Sequence, residues 1–197
     1  MISVIAFSLM FPGAVEGTEP FKFAGQYVEG CSCGNACVFE LKGQDSHCDA
    51  VCFYRFDSGS YKGMDLAGTK MAFAGGRTGW LRIYFDGPTH EAREAVRQFA
   101  LQALKDYGKL ERVAAAKISV ERSIGTYQAT IDGIATFRTT KLANAPKSYS
   151  HIFNATLHPM IFQAETRSCT FADGTRHFKL KNSNSFFNSK LDVAGKV

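Results

Sequence analysis

At 197 residues and 45% hydrophobic, the chain can bury a core without a metal ion or disulfides to hold it together. Its net charge of +5 is modest and its basic residues are spread along the chain, which excludes the basic stripe of a nucleic-acid-binding surface. Seventeen Phe and seven Tyr favour sheet over a helix bundle.

Ile2 to Val15 is apolar, as long as the core of an export signal and too short to span a bilayer. No Lys or Arg precedes it, so a displaced start codon or a buried first strand are the competing readings. The expectation is a signal peptide over residues 1–17 and a single domain over 18–197, with 144–148 as the boundary if there are two lobes. Export makes the protein periplasmic or secreted; without a signal it is cytoplasmic.

Phe21 to Glu29 alternates apolar and polar residues, reads as a strand and runs straight into Cys31. Continued alternation puts Cys31 and Cys33 on one face, and Gly34-Asn35 is turn chemistry that can swing Cys37 back toward them. A polar loop then delivers His47 and Cys48 ahead of an apolar strand over Val51 to Phe56 that contains Cys52. Further strands are expected at Lys70 to Ala74 and Trp80 to Phe85. The Gly-rich link between them lacks the Lys-Ser/Thr ending of a phosphate loop and reads as a turn.

One helix is expected from Thr89 to Tyr107, opened by Pro88 and a Thr89 cap and closed by Gly108. Ala92, Val96, Phe99, Ala103 and Tyr107 form its apolar stripe. Asp132-Gly133 and Asp173-Gly174 each read as a two-residue hairpin turn. In the second hairpin, that register pairs Thr170 with His177 and Cys169 with Phe178, so Cys169 and His177 face opposite ways. The fold class that follows is a β-rich α+β domain, antiparallel sheet with hairpins and one long amphipathic helix packed on it.

Five of the six cysteines fall between positions 31 and 52. Three thiols at Cys-x-Cys-x-x-x-Cys spacing suit a copper or zinc ion, so the metal candidates are Cys31, Cys33 and Cys37, with Cys48, His47 or His158 completing the set. The competing reading is disulfides. An i,i+2 bond between Cys31 and Cys33 is badly strained, whereas Cys33–Cys37 or a link to Cys48 is easier. Cys52 and Cys169 read as packed thiols. Pro159 holds His158 extended, as suits a loop ligand, and His151 carries less weight. No Gly-x-Ser-x-Gly elbow supports a serine hydrolase, while Cys37 with His158 is a conceivable nucleophile pair.

The run from Phe23 to Cys33, with Cys37 and Cys48, resembles the bacterial family catalogued as domain of unknown function 1326, which opens with a strand, then Cys-x-Cys-x-x-x-Cys-Pro-Cys and a further Cys. Gly59 to Gly68, the Ala92–Val96 helix, His158-Pro159 and Asn182 to Phe187 are similar to later segments of that family. The chain departs from it at Cys37-Val38-Phe39, where one thiol is absent, and at Ala172 to Thr175, where many members carry His-x-His. The resemblance implies a metal link and a membrane metal-handling protein as partner. Three functions are thus expected in order: a soft-metal protein for handling or delivery, a disulfide-stabilised binding module with an apolar surface, and a thiol-dependent enzyme. The balance leans away from catalysis, with a metal ion as the cofactor, no nucleic acid and no membrane span.

Overall fold

The computed structural model describes residues 19–34, 37, 48–76, 79–144, 147–149 and 157–197, with Ser148 and Tyr149 described by backbone alone. The apolar stretch Ile2–Val15, His47 and His151 lie outside the described residues. Among those described, the strands are β1 (Pro20–Cys31), β2 (Ala50–Tyr61), β3 (Met64–Asp65), β4 (Lys70–Gly76), β5 (Trp80–Asp86), β6 (Lys109–Ala115), β7 (Ile118–Ser123), β8 (Thr126–Ile131), β9 (Ala135–Lys141), β10 (Lys147–Tyr149), β11 (Met160–Asp173), β12 (Arg176–Leu180) and β13 (Ser183–Lys196). They join in the order β6-β5-β4-β2-β1-β13-β11-β9-β8-β7, with β3 beside β2 and both β10 and β12 beside β11.

Alternation in the central strand sets the two faces. In β1, Phe21, Phe23, Tyr27 and Cys31 enter one apolar cluster, while Val28 enters the other. A bulge interrupts β1 near Gly25, where a Cβ would lie 2.0 Å from the Arg55 carbonyl oxygen, so only glycine lets β2 approach there. The first face is covered by α1 (His90–Ala103), whose Phe99 ring meets those of Phe21, Phe23, Phe56 and Tyr61 at 5.3–5.9 Å. Over the second face the sheet curls on itself. Phe53 of β2 stacks 5.8 Å from Phe137 of β9, and Trp80 of β5 lies 5.9 Å from Phe171 of β11.

This overturns the expected α+β domain with one long helix. The fold is mostly β, 65% strand and 9% helical, curled into a half-barrel with a single short helix. The helix has 14 residues rather than the span from Thr89 to Tyr107, and it buries Ala95, Val96, Phe99 and Ala100. Ala92, Ala103 and Tyr107 of the expected stripe are only half-buried. Thr89 does cap it, accepting from the Ala92 amide at 3.1 Å. The Leu104 amide makes the last i→i−4 bond, to Ala100; the Tyr107 amide then turns back to the Leu104 carbonyl and Lys109 donates to the Gly79 carbonyl, which ends the helix early and starts β6 parallel to β5.

Both hairpin registers also differ. Ile131 pairs with Ala135, leaving a three-residue turn with Gly133 at φ +66. Asp173 pairs with Arg176, so Thr170 faces Lys179, and Cys169 faces Leu180 rather than Phe178. Cys169 is buried and His177 exposed. Among the described residues no helix is long and apolar enough to cross a membrane.

Candidate functional site

The end of β1 and the start of β2 are clamped together. Cys31 pairs with Ala50, the Ser32 amide donates to the Asp49 carbonyl at 2.8 Å, and the Asp49 amide donates to Ser32 Oγ at 2.9 Å. The connecting loop must therefore leave and return at one point, which sets Cys48 beside Cys31. The sulfur atoms of Cys31, Cys33 and Cys37 lie within 4.8 Å of one another. Cys48 neighbours Cys31 but is not within that distance of all three. Cys31 and Cys37 are buried, while Cys33 and Cys48 are half-buried.

β13 supplies the other wall. The Asn184 amide donates to the Cys33 carbonyl at 3.1 Å, and Asn184 Nδ2 donates to Cys31 Sγ at 3.4 Å. Its Oδ1 is buried and meets no donor. Neighbouring Cys33, Cys37 and Cys48, then burial, then the charge of Glu29 push the Cys31 thiol well above its usual range. Cys31 thus stays protonated and can donate S–H to whichever neighbouring sulfur ionises.

Beneath the thiols runs a polar file on the same face. Glu29, buried two residues before Cys31, accepts from the Tyr27 hydroxyl at 2.5 Å and from Cys52 Sγ at 3.4 Å. Strand pairing explains this, since Glu29 faces Cys52 and Tyr27 faces Tyr54. His158 is wholly buried, stacks on the Tyr27 ring at 4.2 Å and shares a 2.5 Å hydrogen bond between its Nδ1 and the Tyr54 hydroxyl.

Of the six candidate ligands, three come together: Cys31, Cys33 and Cys37 are the described residues that could hold a copper or zinc ion. Cys48 lies at their margin, His158 belongs to the polar file, and His47 is outside the described residues. The sequence reading missed Asn184, Glu29, Cys52, Tyr27 and Tyr54. Strand alternation alone could have placed Tyr27 and Glu29 on the face of Cys31.

No family model matches the chain, and no curated protein matches it. Among solved structures it is similar to an acetoacetate decarboxylase from Legionella pneumophila, at 10% identity and TM-score 0.42 over 100% of this chain and 98% of the other. It is also similar to the enduracididine biosynthesis enzyme MppR, in complex with a condensation product of pyruvate and imidazole 4-carboxaldehyde, at 10% identity and TM-score 0.45 over 98% and 95%. An acetoacetate decarboxylase-like enzyme from Sphingomonas wittichii gives 10% and 0.36, over 98% of each chain. The leading expectation of a soft-metal carrier is corrected, since none of these neighbours is a metal-handling module by its description. At such scores the likeness does not bring their reactions to this chain. The disulfide-stapled module is corrected too, since none of the six cysteines, all among the described residues, is joined in a disulfide.

Proposed function

We propose that the chain is an enzyme whose chemistry is thiol–disulfide exchange at the Cys31–Cys33–Cys37–Cys48 cluster. The observation that carries this is the grading of exposure across thiols gathered round Cys31: half-buried Cys33 and Cys48 beside buried Cys31 and Cys37. Exchange needs one accessible thiolate to attack and a second, shielded thiol to resolve.

Cys33 is the attacking group, because Cys31 is held protonated, Cys37 is buried and Cys48 lies outside the trio of close sulfurs from which Cys37 can resolve. Its thiolate attacks one sulfur of a substrate disulfide. A bond forms between Cys33 Sγ and that sulfur, the substrate S–S bond breaks, and the departing thiolate takes up a proton. Cys37 then attacks Cys33 Sγ, forming an internal disulfide and releasing the second substrate thiol. Two protein thiols are oxidised to one disulfide while one substrate disulfide is reduced to two thiols. Cys31 cannot replace Cys37 as the resolving thiol, because a bridge between neighbours two apart is strained. Asn184 and Cys31 hold the cluster from below. Membership of the family resembled by the cysteine motif, and export from the Ile2–Val15 stretch, are further proposals; export would place this chemistry where disulfide substrates persist.

Incubation in glutathione buffers of graded redox ratio, followed by acid quench and peptide mass mapping, tests this. The expected result is a reversible Cys33–Cys37 disulfide and catalysed reduction of a model protein disulfide that Cys33→Ser abolishes. The proposal fails if the cluster never equilibrates with glutathione. It fails equally if the purified protein carries stoichiometric copper or zinc that Cys33→Ser removes.

A further inference from the structure

On the opposite face of the sheet, at the open edge of the curl, two buried polar atoms meet no partner: Gln26 Oε1 and the Tyr127 hydroxyl. Both side chains are more than nine-tenths buried, Gln26 at 8% exposure and Tyr127 at 3%. Leaving such an atom unpaired costs about 1–3 kcal/mol, so two near one opening mark a place where polar groups of a ligand or of ordered water would be held.

Each lines a cavity, and the two cavities share a wall. Gln26 faces one of about 480 Å³ with Arg55, Arg122, Ser123 and Ile124. Tyr127 faces one of about 190 Å³ with Arg122, Ile124, Lys141, Phe187 and Ser189. Ser189 lies beside the Tyr127 hydroxyl without meeting hydrogen-bond geometry. The shared lip is the turn between β7 and β8, where Ile124 stands fully exposed.

The charge around this opening is positive. Arg55 is paired with Asp57 at 2.8 Å, and Lys141 rests over the Phe187 ring at 5.8 Å. Arg122 has no ion pair among the described residues, and its guanidinium and that of Arg55 both act on the Tyr127 hydroxyl. A free guanidinium at a cleft mouth presents two parallel donors to a carboxylate. Gln26 Oε1 can only accept, so the same ligand must bring a donor of its own. Phe187 and Ile124 offer it an apolar wall.

We infer that this cleft binds a small organic carboxylate carrying a hydroxyl or N–H donor, the carboxylate on Arg122 and the donor on Gln26 Oε1, with Tyr127 completing the contact. The site is separate from the thiol cluster: Gln26 and Tyr27 are adjacent in β1 but belong to opposite faces.

Lactate, acetate and inorganic phosphate, titrated into ¹⁵N-labelled full-length protein, serve as probes. Lactate is expected to give saturable amide shifts confined to residues near 26, 122–127 and 141, and to bind at least about threefold more tightly than acetate, which lacks the donor. Arg122→Gln is expected to weaken lactate about tenfold or more. Gln26→Leu is expected to erase the preference for lactate while leaving acetate binding in place. Absence of saturation, shifts elsewhere, phosphate binding in preference to both carboxylates, or undiminished lactate binding by a folded Arg122→Gln protein would each overturn the assignment.

Discussion

Arg82 of β5 and Asp173 of β11 meet across the curled sheet, Nη1 to Oδ2 at 2.9 Å, though 91 residues separate them. The same carboxylate accepts from the Tyr84 hydroxyl at 2.6 Å and from Arg112 at 2.5 Å, and the Arg82 side chain reaches on to Glu111 at 3.2 Å. Arg176 also binds Glu111 and lies 5.2 Å over the Trp80 ring. This network locks one wing of the sheet to the other where the apolar cluster between them runs out. Asp173→Asn leaves Arg82 and Tyr84 buried with a weaker acceptor, which costs about 3 kcal/mol. For a chain of this size that lowers the melting temperature by roughly 6–12 °C, readable by circular dichroism.

The same carboxylate gives the fold an acid limit. Burial pushes the Asp173 pKa up, but the Tyr84 hydroxyl, Arg82 and Arg112 outweigh it, and the net displacement is downward. A carboxyl depressed in the folded state contributes stability that is full above its unfolded value, near 3.9, and is lost as pH falls through the folded value. Melting temperature should therefore drop below about pH 4. Asp173→Asn should flatten that part of the profile, and an unchanged slope would show that other carboxylates set it.

Tyr54 and His158 form another long-range polar link, 104 residues apart in sequence. Tyr54→Phe removes the hydroxyl and leaves His158 Nδ1 without it, at a cost of about 1–3 kcal/mol. A cycle with His158→Leu should return a coupling of about 1 kcal/mol, since the two side chains also touch as rings at 6.1 Å. Additive losses in denaturant melts would mean that the bond contributes nothing of its own.

Much of the sheet could be read from alternation, and the places where reading failed share a cause. β1, β2, β4 and β5 announce themselves because each carries bulky apolar residues on a face pressed against a partner. β6 and β7 do not: Lys109 to Arg112 are all exposed, as are Glu121 to Ser123, so no period-two pattern marks them. The helix was overread because Leu101, Ala103, Leu104 and Tyr107 continue an apolar surface past the last helical turn, with only Leu104 fully buried. At the thiol site, spacing put Cys31 and Cys33 on one face, but Asn184 arrives from a strand more than 150 residues away. Nothing local in Ser183-Asn184-Ser185 says which strand it will border. The curl itself depends on such pairings, so it was beyond reach of any window of the sequence.

The cysteines divide by environment, and alkylation at neutral to mildly basic pH should follow that division. Burial pushes the Cys169 thiol up to about 12, and its Sγ lies in the apolar cluster between the wings. Its thiolate fraction at pH 8 is then about a thousandfold below that of an ordinary thiol, before access is considered. Cys31 is held protonated by its sulfur neighbours, and Cys52 is buried with its S–H on Glu29. Half-buried Cys33 should label first with iodoacetamide, Cys48 next, Cys31 and Cys37 slowly from the folded state, and Cys52 and Cys169 only as the chain unfolds. Replacing Glu29 with Gln removes a negative charge that disfavours ionisation of Cys31, so labelling there should quicken severalfold, with the rates for Cys169 unmoved as the internal control. Peptide mass mapping over a time course reads all six rates at once. Cys169 labelling ahead of Cys33 would show that the wings part before the thiol site opens, the reverse of the order that the Arg82–Asp173 lock requires.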